Sequence, residues 1–276
     1  MKRALVFWWC LKMLGSGSLL ILMLTTGCGT LPDGRSWGQD AIYPPRWERV
    51  RAAAKHALFD PVTWIPALGA GVFAIDDFDQ KTSDWATDHT PIFGSVSGAD
   101  DASDNLKNAL QMETAATWLL TPSGSEFPEW GFAKIRGGAV EYGALQATGA
   151  LTDLGKSTTG RTRPDDSNDR SFPSQHASTA FANARLSNRN LDSIRMPAWA
   201  RNSLKGGNLV MATGTAWARV EGKRHYPSDV LAGACLGNLV TTFIHDAFMN
   251  LPESKGVSFY IEPAPSHVFA GVSLDF

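Results

Sequence analysis

Three short clusters in the middle of the chain carry residues able to act on an anion. The first is Lys156, then six residues, then Arg163-Pro164. The second is Pro173-Ser174-Gln175-His176, and the third is Arg219, five residues, His225, three residues, Asp229. A phosphoryl group in transfer carries negative charge on its nonbridging oxygens, so its chemistry needs cations and N–H donors fixed around them. Lys156, Arg163 and Arg219 can supply the charge. Pro173 and Ser174 precede an apolar helical run and read as a helix start, whose free amides and positive dipole end would face an anion. The backbone amides of Ser174, Gln175 and His176 are the expected donors. His225 is followed by Tyr226-Pro227 and therefore stands at the mouth of a helix, with Asp229 one turn further on. A carboxylate there can accept the ring N–H of His225, setting the tautomer and leaving the other nitrogen to attack phosphorus.

In order and spacing these clusters resemble the three-part signature of the type 2 phosphatidic acid phosphatase and vanadium haloperoxidase superfamily. The resemblance rests on seven polar positions from Lys156 to Asp229. It implies an all-α core and a metal-independent, cofactor-free phosphatase of a phosphomonoester or diphosphate, lipid-linked or soluble. By the same resemblance His225 forms a phosphohistidine, Asp229 orients it, and His176 protonates the leaving oxygen and then activates water. Vanadate mimics phosphate, so a vanadate-dependent haloperoxidase is the alternative enzyme, and a noncatalytic envelope lipoprotein is a third reading.

Two positions depart from the pattern. Gln175 stands where the family has Gly, and Ala218 where it has Ser. Glycine lets a backbone approach a phosphate closely, so Gln175 must point away, donate its side-chain amide or narrow the pocket, and it is expected to alter substrate preference. Arg161, Lys223 and Arg224 are neighbouring cations outside the motif. Asp84, Asp88, His89, Asp100, Asp101 and Asp104 are expected to be capping or solvated residues, and no metal site is expected. His56, His89, His245 and His267 are assigned no chemistry.

Helical periodicity dominates the segments that must position these groups. Helices are expected over Arg46–Leu58, from Pro61 to about Ile75, and from a cap at Ser103-Asp104 to Leu120. Between the second and third of these, Asp76–Asp88 reads as a polar stretch. A Gly- and Ala-rich central helix follows over Trp130 to about Leu154, then helices at about Ser174–Leu186, Ala200–Ala218 and Pro227–Asn250. Val257–Ile261 and His267–Phe276 alternate apolar and polar residues around Pro263 and Pro265, which predicts a short hairpin packed as a flap. The expected fold class is all-α, a helical bundle with a short C-terminal β-hairpin. The expected organisation is a signal over 1–27, a tether over 28–45, the helical domain over 46–250 and a hairpin extension over 251–276.

The 276 residues, 43% of them hydrophobic and 19% charged, suffice for a substantial core and exclude a disordered chain. A net charge of -2 offers no basic stripe for a nucleic-acid backbone. Lys2 and Arg3 followed by the apolar run Leu19–Leu24 read as an export signal. Its end, Leu24-Thr25-Thr26-Gly27-Cys28, is similar to a lipobox, with Leu one step earlier than usual. Cleavage there would leave Cys28 to carry lipid and, by removing Lys2, Arg3 and Lys12, deepen the charge from -2 to -5. Gly29 in place of an Asp points to the periplasmic face of the outer membrane, with the bilayer as partner through the lipid. Beyond the signal no membrane-spanning segment is expected. Cys235, within an apolar helical pattern, reads as a buried inert thiol.

Overall fold

The computed structural model describes residues 29–249, 251, 257–264 and 267–274. The signal and Cys28 lie outside the described residues. Eight helices are found among the described residues: α1 Trp47–Phe59, α2 Pro61–Phe73, α3 Phe78–His89, α4 Val96–Leu120, α5 Glu129–Thr159, α6 Gln175–Ser193, α7 Ala198–Glu221 and α8 Pro227–Phe248.

Local chemistry explains most of the boundaries. Asp60 caps α2, its carboxylate accepting from the Val62 amide at 3.1 Å, and Pro61 sits at the first helical position. The start of α4 lies eight residues before the expected Ser103, because Ser95 is extended and its hydroxyl accepts from the Gly98 amide at 3.0 Å. Ser103 is instead inside the helix and donates to the Asp100 carbonyl at 2.7 Å. Ser174 caps α6, and the left-handed Gly160 ends α5 with its N–H directed at the Lys156 carbonyl. The polar stretch after α2 is helical too, as α3.

Helix α8 is the axis of the bundle. It packs against α6, α2, α1 and α5, while α4, α6 and α7 pack on one another beside it. It is long and apolar enough to cross a membrane by length and composition, and no other described helix is; in the bundle it serves as the core helix.

Close approach is possible because the facing residues are small. A Cβ added at Gly233 or Gly237 would lie 2.5 Å from the Ser174 carbonyl oxygen or 2.4 Å from that of Ser178, so α8 meets α6 backbone to backbone. The core follows the same rule: Ala86, Ala177, Ala216, Val220 and Val230 form one cluster and Leu110, Ala180, Ala184 and Ala212 another. Buried hydroxyls are paired across helices, Thr152 with Ser178 at 2.9 Å and Thr114 with Ser187 at 3.0 Å. The segment before α1 also packs on the body. Trp37 is fully buried over Gly137 of α5, where any Cβ would meet its ring at 2.2 Å, and the Ile42 amide donates to the Phe248 carbonyl.

The expected fold class needs one correction: the fold is the helical bundle, and no C-terminal flap forms part of it. Val257–Ala264 and His267–Leu274 pair antiparallel with each other, and no helix packs extensively against either strand. A two-stranded ribbon without a third strand or a helix beneath it has little stability of its own, so alternation in the sequence announced strands without announcing anything for them to cover.

Gly237→Ala is expected to destabilise the chain by about 1–3 kcal/mol, since overpacking forces two backbones apart. That corresponds to a fall of several degrees in Tm, about 2–4 °C per kcal/mol at this size. Gly206→Ala, on an exposed α7 surface with open space around it, should instead leave Tm unchanged or raise it. Equal effects from the two substitutions in thermal unfolding would refute the close-packing account.

Candidate active site

Helix α5 ends, α6 begins, and α7 passes into α8 at the same end of the bundle, and a cleft of about 340 Å³ opens between them. Lys156, Arg163, Gln175, His176 and His225 line it, together with Lys107 and Gln111 of α4, Asn168, Arg170 and Thr179. Five of the eight residues expected to act on an anion therefore face one space. The other three, Ser174, Arg219 and Asp229, are buried behind it.

Asp229 is fully buried and accepts hydrogen bonds on both carboxylate oxygens. One oxygen, Oδ1, accepts from Arg161 Nη1 at 2.8 Å. The other, Oδ2, accepts from Ser171 Oγ at 2.5 Å and from the Tyr226 amide at 2.9 Å. The carbonyl of Asp229 accepts the Ser174 amide at 2.9 Å, tying the start of α6 to the first turn of α8. The His225 ring lies against this carboxylate with Nδ1 3.6 Å from Oδ2, longer than a hydrogen bond but within ion-pair reach. These neighbours outweigh burial and hold the Asp229 carboxyl below its usual range. Burial pushes the His225 imidazole down to about 4 despite the nearby carboxylate, with Arg219 and Lys156 adding to the effect. At neutral pH the ring is therefore uncharged, the form in which a nitrogen can act as a nucleophile.

His176, on the first turn of α6, pairs through Nε2 with Asp104 Oδ1 of α4 at 2.9 Å. Lys107 Nζ contacts the same carboxylate oxygen at 2.9 Å, and the Asp104 carboxyl is held at about 2 by these two partners. Burial and the charge of Arg219 lower His176 to about 4. Lys156 donates to the Arg170 carbonyl at 2.7 Å and is lowered to about 8 by burial and by the charges of Arg163 and Arg170. Arg219 donates to Asp100 and, at 3.0 Å, to Ser103 Oγ, while its Nε is buried without a partner.

The first-turn donors are fewer than expected. The Ser174 amide is already committed to Asp229, which leaves those of Gln175 and His176 for an anion. Gln175 is the first residue of α6, exposed on the cleft and outside the left-handed region, so it carries no backbone strain. Its side chain borders the cleft as a polar wall.

Several contributors lay outside the sequence reading. Asp100 and Asp104, expected as surface or capping groups, bind Arg219 and His176. With Lys107 and Gln111 they recur at helical spacing along α4, a polar stripe that could have marked a face turned towards the site. Of the extra cations, Arg161 reaches Asp229 and Asp79, and Arg224 bridges Asp100 and Asp165 at 2.9 Å each. Neither lines the cleft. No group of three or more His, Cys, Asp or Glu residues able to hold a metal occurs among the described residues.

Residues 141–252, which contain all three clusters, match the family model of the PAP2 superfamily. Over 92 residues it is 40% identical to the lipid A 1-phosphatase of Porphyromonas gingivalis, an alignment covering 33% of this chain and 19% of that protein. The chain thus spans about a fifth of the length of the curated relative it matches. Its fold is similar to the crystal structure of a transmembrane PAP2-type phosphatidylglycerolphosphate phosphatase from Bacillus subtilis, with a TM-score of 0.51, 17% identity, and coverage of 66% of this chain and 92% of that one.

His176, His225 and His245 are all held near 4, below the ordinary value of 6.5. A histidine depressed in the folded state contributes stability that is present above about 6.5 and is lost as pH falls towards the folded value. Glu141, buried and raised to about 8, acts in the opposite sense, weakening the fold as pH rises from 4.5 to 8. Between about pH 4 and 8 thermal stability is therefore expected to peak near pH 6.5, falling on the acid side through the three histidines. Glu141→Gln should flatten the alkaline side, and a Tm that stayed level below pH 6 would contradict the assignment.

Proposed function

We propose that this chain is a phosphatase that hydrolyses a phosphate monoester or diphosphate through a phosphohistidine on His225, without a metal. The observation that carries the reading is the uncharged, buried His225 backed by Asp229 at a cleft lined by Lys156, Arg163 and His176. The substrate phosphate would sit among Lys156, Arg163 and the Gln175 and His176 amides, with the helix dipole of α6 directed at it. Nε2 of His225 attacks phosphorus, and Asp229 stabilises the charge that develops on the ring. The bond to the ester oxygen breaks as His176 gives that oxygen a proton. Water then attacks the phosphohistidine while His176 takes its proton, releasing inorganic phosphate and restoring the neutral ring. The negative charge of bound phosphate favours the protonated form of His176 that the first half requires.

A lipid phosphate is the favoured substrate class. The similar proteins from Porphyromonas gingivalis and Bacillus subtilis bear the names of lipid phosphate phosphatases, and membrane association accords with the second of them. The test is phosphate release in chelator from diacylglycerol phosphate vesicles and from p-nitrophenyl phosphate. Release from vesicles should be the faster, and His225→Ala should lower both by at least about a thousandfold, the scale seen on removing a covalent nucleophile. Release that survives in His225→Ala would remove the phosphohistidine from the scheme.

We further propose that the chain is a lipoprotein anchored through Cys28 on the periplasmic face of the outer membrane. The lipobox-like end of the signal supports this. Gly29, the next residue, pairs with Gly124 just before α5, whereas Lys156 is at the far end of that helix. At 1.5 Å per residue α5 separates its Gly29 end from the cleft by about 40 Å, so an anchor preceding Gly29 would let a lipid in the same bilayer be reached with the bundle lying along the surface. Metabolic palmitate labelling and recovery with outer membranes are expected for the full chain and should both vanish in Cys28→Ser. Labelling that persists in the variant would refute the anchor.

A further inference from the structure

The motif residues do not account for Arg161. It follows the left-handed Gly160 at the end of α5, and it does not line the cleft. Both terminal nitrogens of its guanidinium are nevertheless held. Nη1 donates to Asp229 Oδ1 and to Ser228 Oγ, both at 2.8 Å, and Nη2 donates to Asp79 Oδ2 at 2.8 Å. The Tyr226 ring lies beneath it, 4.0 Å from Cζ to centroid. Asp79, in the first turn of α3 and almost fully buried, also accepts from the Ser228 amide at 2.8 Å and from Ser228 Oγ. The backbone carbonyl of Arg161 accepts from the Ser171 amide at 2.9 Å, and Ser171 Oγ in turn donates to Asp229 Oδ2. Arg161 thus engages Asp229 directly through its side chain and indirectly through Ser171.

We propose that Arg161, anchored by Asp79 of α3, is a positioning residue that holds the Asp229 carboxylate in place behind the His225 ring. This rests on the phosphatase reading only for its kinetic consequence. The physical reason is that a fully buried carboxylate has four acceptor sites to satisfy and no water to satisfy them. A fixed guanidinium on Oδ1 leaves Oδ2 turned to His225, and a charge-assisted contact sets that orientation more firmly than a neutral one. It also gives the carboxylate's charge a permanent cationic partner other than the neutral His225 ring. Without Arg161 the whole of that charge would fall on His225, favouring the imidazolium, which cannot attack. Helix α3, which contributes nothing to the lining of the cleft, acquires a role as the support for this clamp.

The experiment compares wild type, Arg161→Ala, Arg161→Lys, Asp79→Asn and His225→Ala in the full-length chain. Hydrolysis of p-nitrophenyl phosphate is followed across pH, and the His225 ring is titrated by nitrogen-15 NMR on folded protein. For Arg161→Ala we expect kcat to fall by about 10- to 100-fold, the range typical of residues that orient a reacting group at one remove, with KM within about threefold. The acid limb of the pH profile and the His225 titration should both move to higher pH, and millimolar guanidinium should restore part of kcat. Arg161→Lys and Asp79→Asn should show smaller shifts in the same direction, which carries the test if the alanine variant does not fold. An unchanged His225 titration in a folded Arg161 variant would overturn the proposal, as would a raised KM with kcat intact, which would make Arg161 a substrate ligand. If wild type releases no phosphate, the phosphatase reading fails, while the titration still decides whether Arg161 governs His225.

Discussion

One buried carboxylate organises the reactive end of this molecule. Asp229 has no contact with solvent, and an ionised group in that position is tolerated only when its acceptor sites are filled by donors that do not move. The donors come from Arg161 and Ser171 in the loop after α5 and from the Tyr226 amide before α8, and the Asp229 carbonyl adds the Ser174 amide at the start of α6. Satisfying this single anion therefore locks together the segments that carry all three sequence clusters. His225 inherits its place from that lock, as does the first turn of α6 from which two free amides face the cleft.

The lock would not form if α6 and α8 were held at an ordinary interhelical distance. Gly233 and Gly237 let the two backbones touch at Ser174 and Ser178, within one or two turns of the site. Alanine, serine and threonine dominate the rest of the core, with hydroxyls paired across the helix contacts. The consequence of small residues inside is that many large apolar side chains stay outside, among them Ile65, Leu68 and Val72 of α2. An exposed apolar face of this kind suits a chain that works beside a membrane.

Most cations in and around the cleft are matched by carboxylates. Arg219 is met by Asp100, Arg224 by Asp100 and Asp165, Lys107 by Asp104, and Arg161 by Asp229 and Asp79. Lys156 and Arg163 lack such partners among the salt bridges of the described residues, Lys156 being satisfied by a carbonyl instead. The uncompensated positive charge is thus concentrated where an anion would enter, with His176 and His225 kept neutral beside it by burial. That distribution favours a phosphate over a neutral ligand.

Much of this was legible in the residues themselves. Spacing within each cluster singled out Lys156, Arg163, His176 and His225, which line one cleft, and the buried Asp229, because the chemistry of an anion and the geometry of a helix start are local and leave a local pattern. Helical period announced most of the bundle for the same reason. The C-terminal alternation announced strands but could not say that the helical body would have no use for them, since packing depends on a partner surface that no short pattern encodes. Nor could the sequence assign Asp79, Asp100 or Asp104, which lie about 70 to 150 residues from the groups they bind and reach them only after the bundle closes. The Ser174 amide was expected to meet a ligand and is taken by Asp229 instead. Residue types and spacing determined the kind of chemistry this chain can perform; the tertiary structure alone decided which carboxylate answers each cation, because that pairing is set by distance in space and not along the chain.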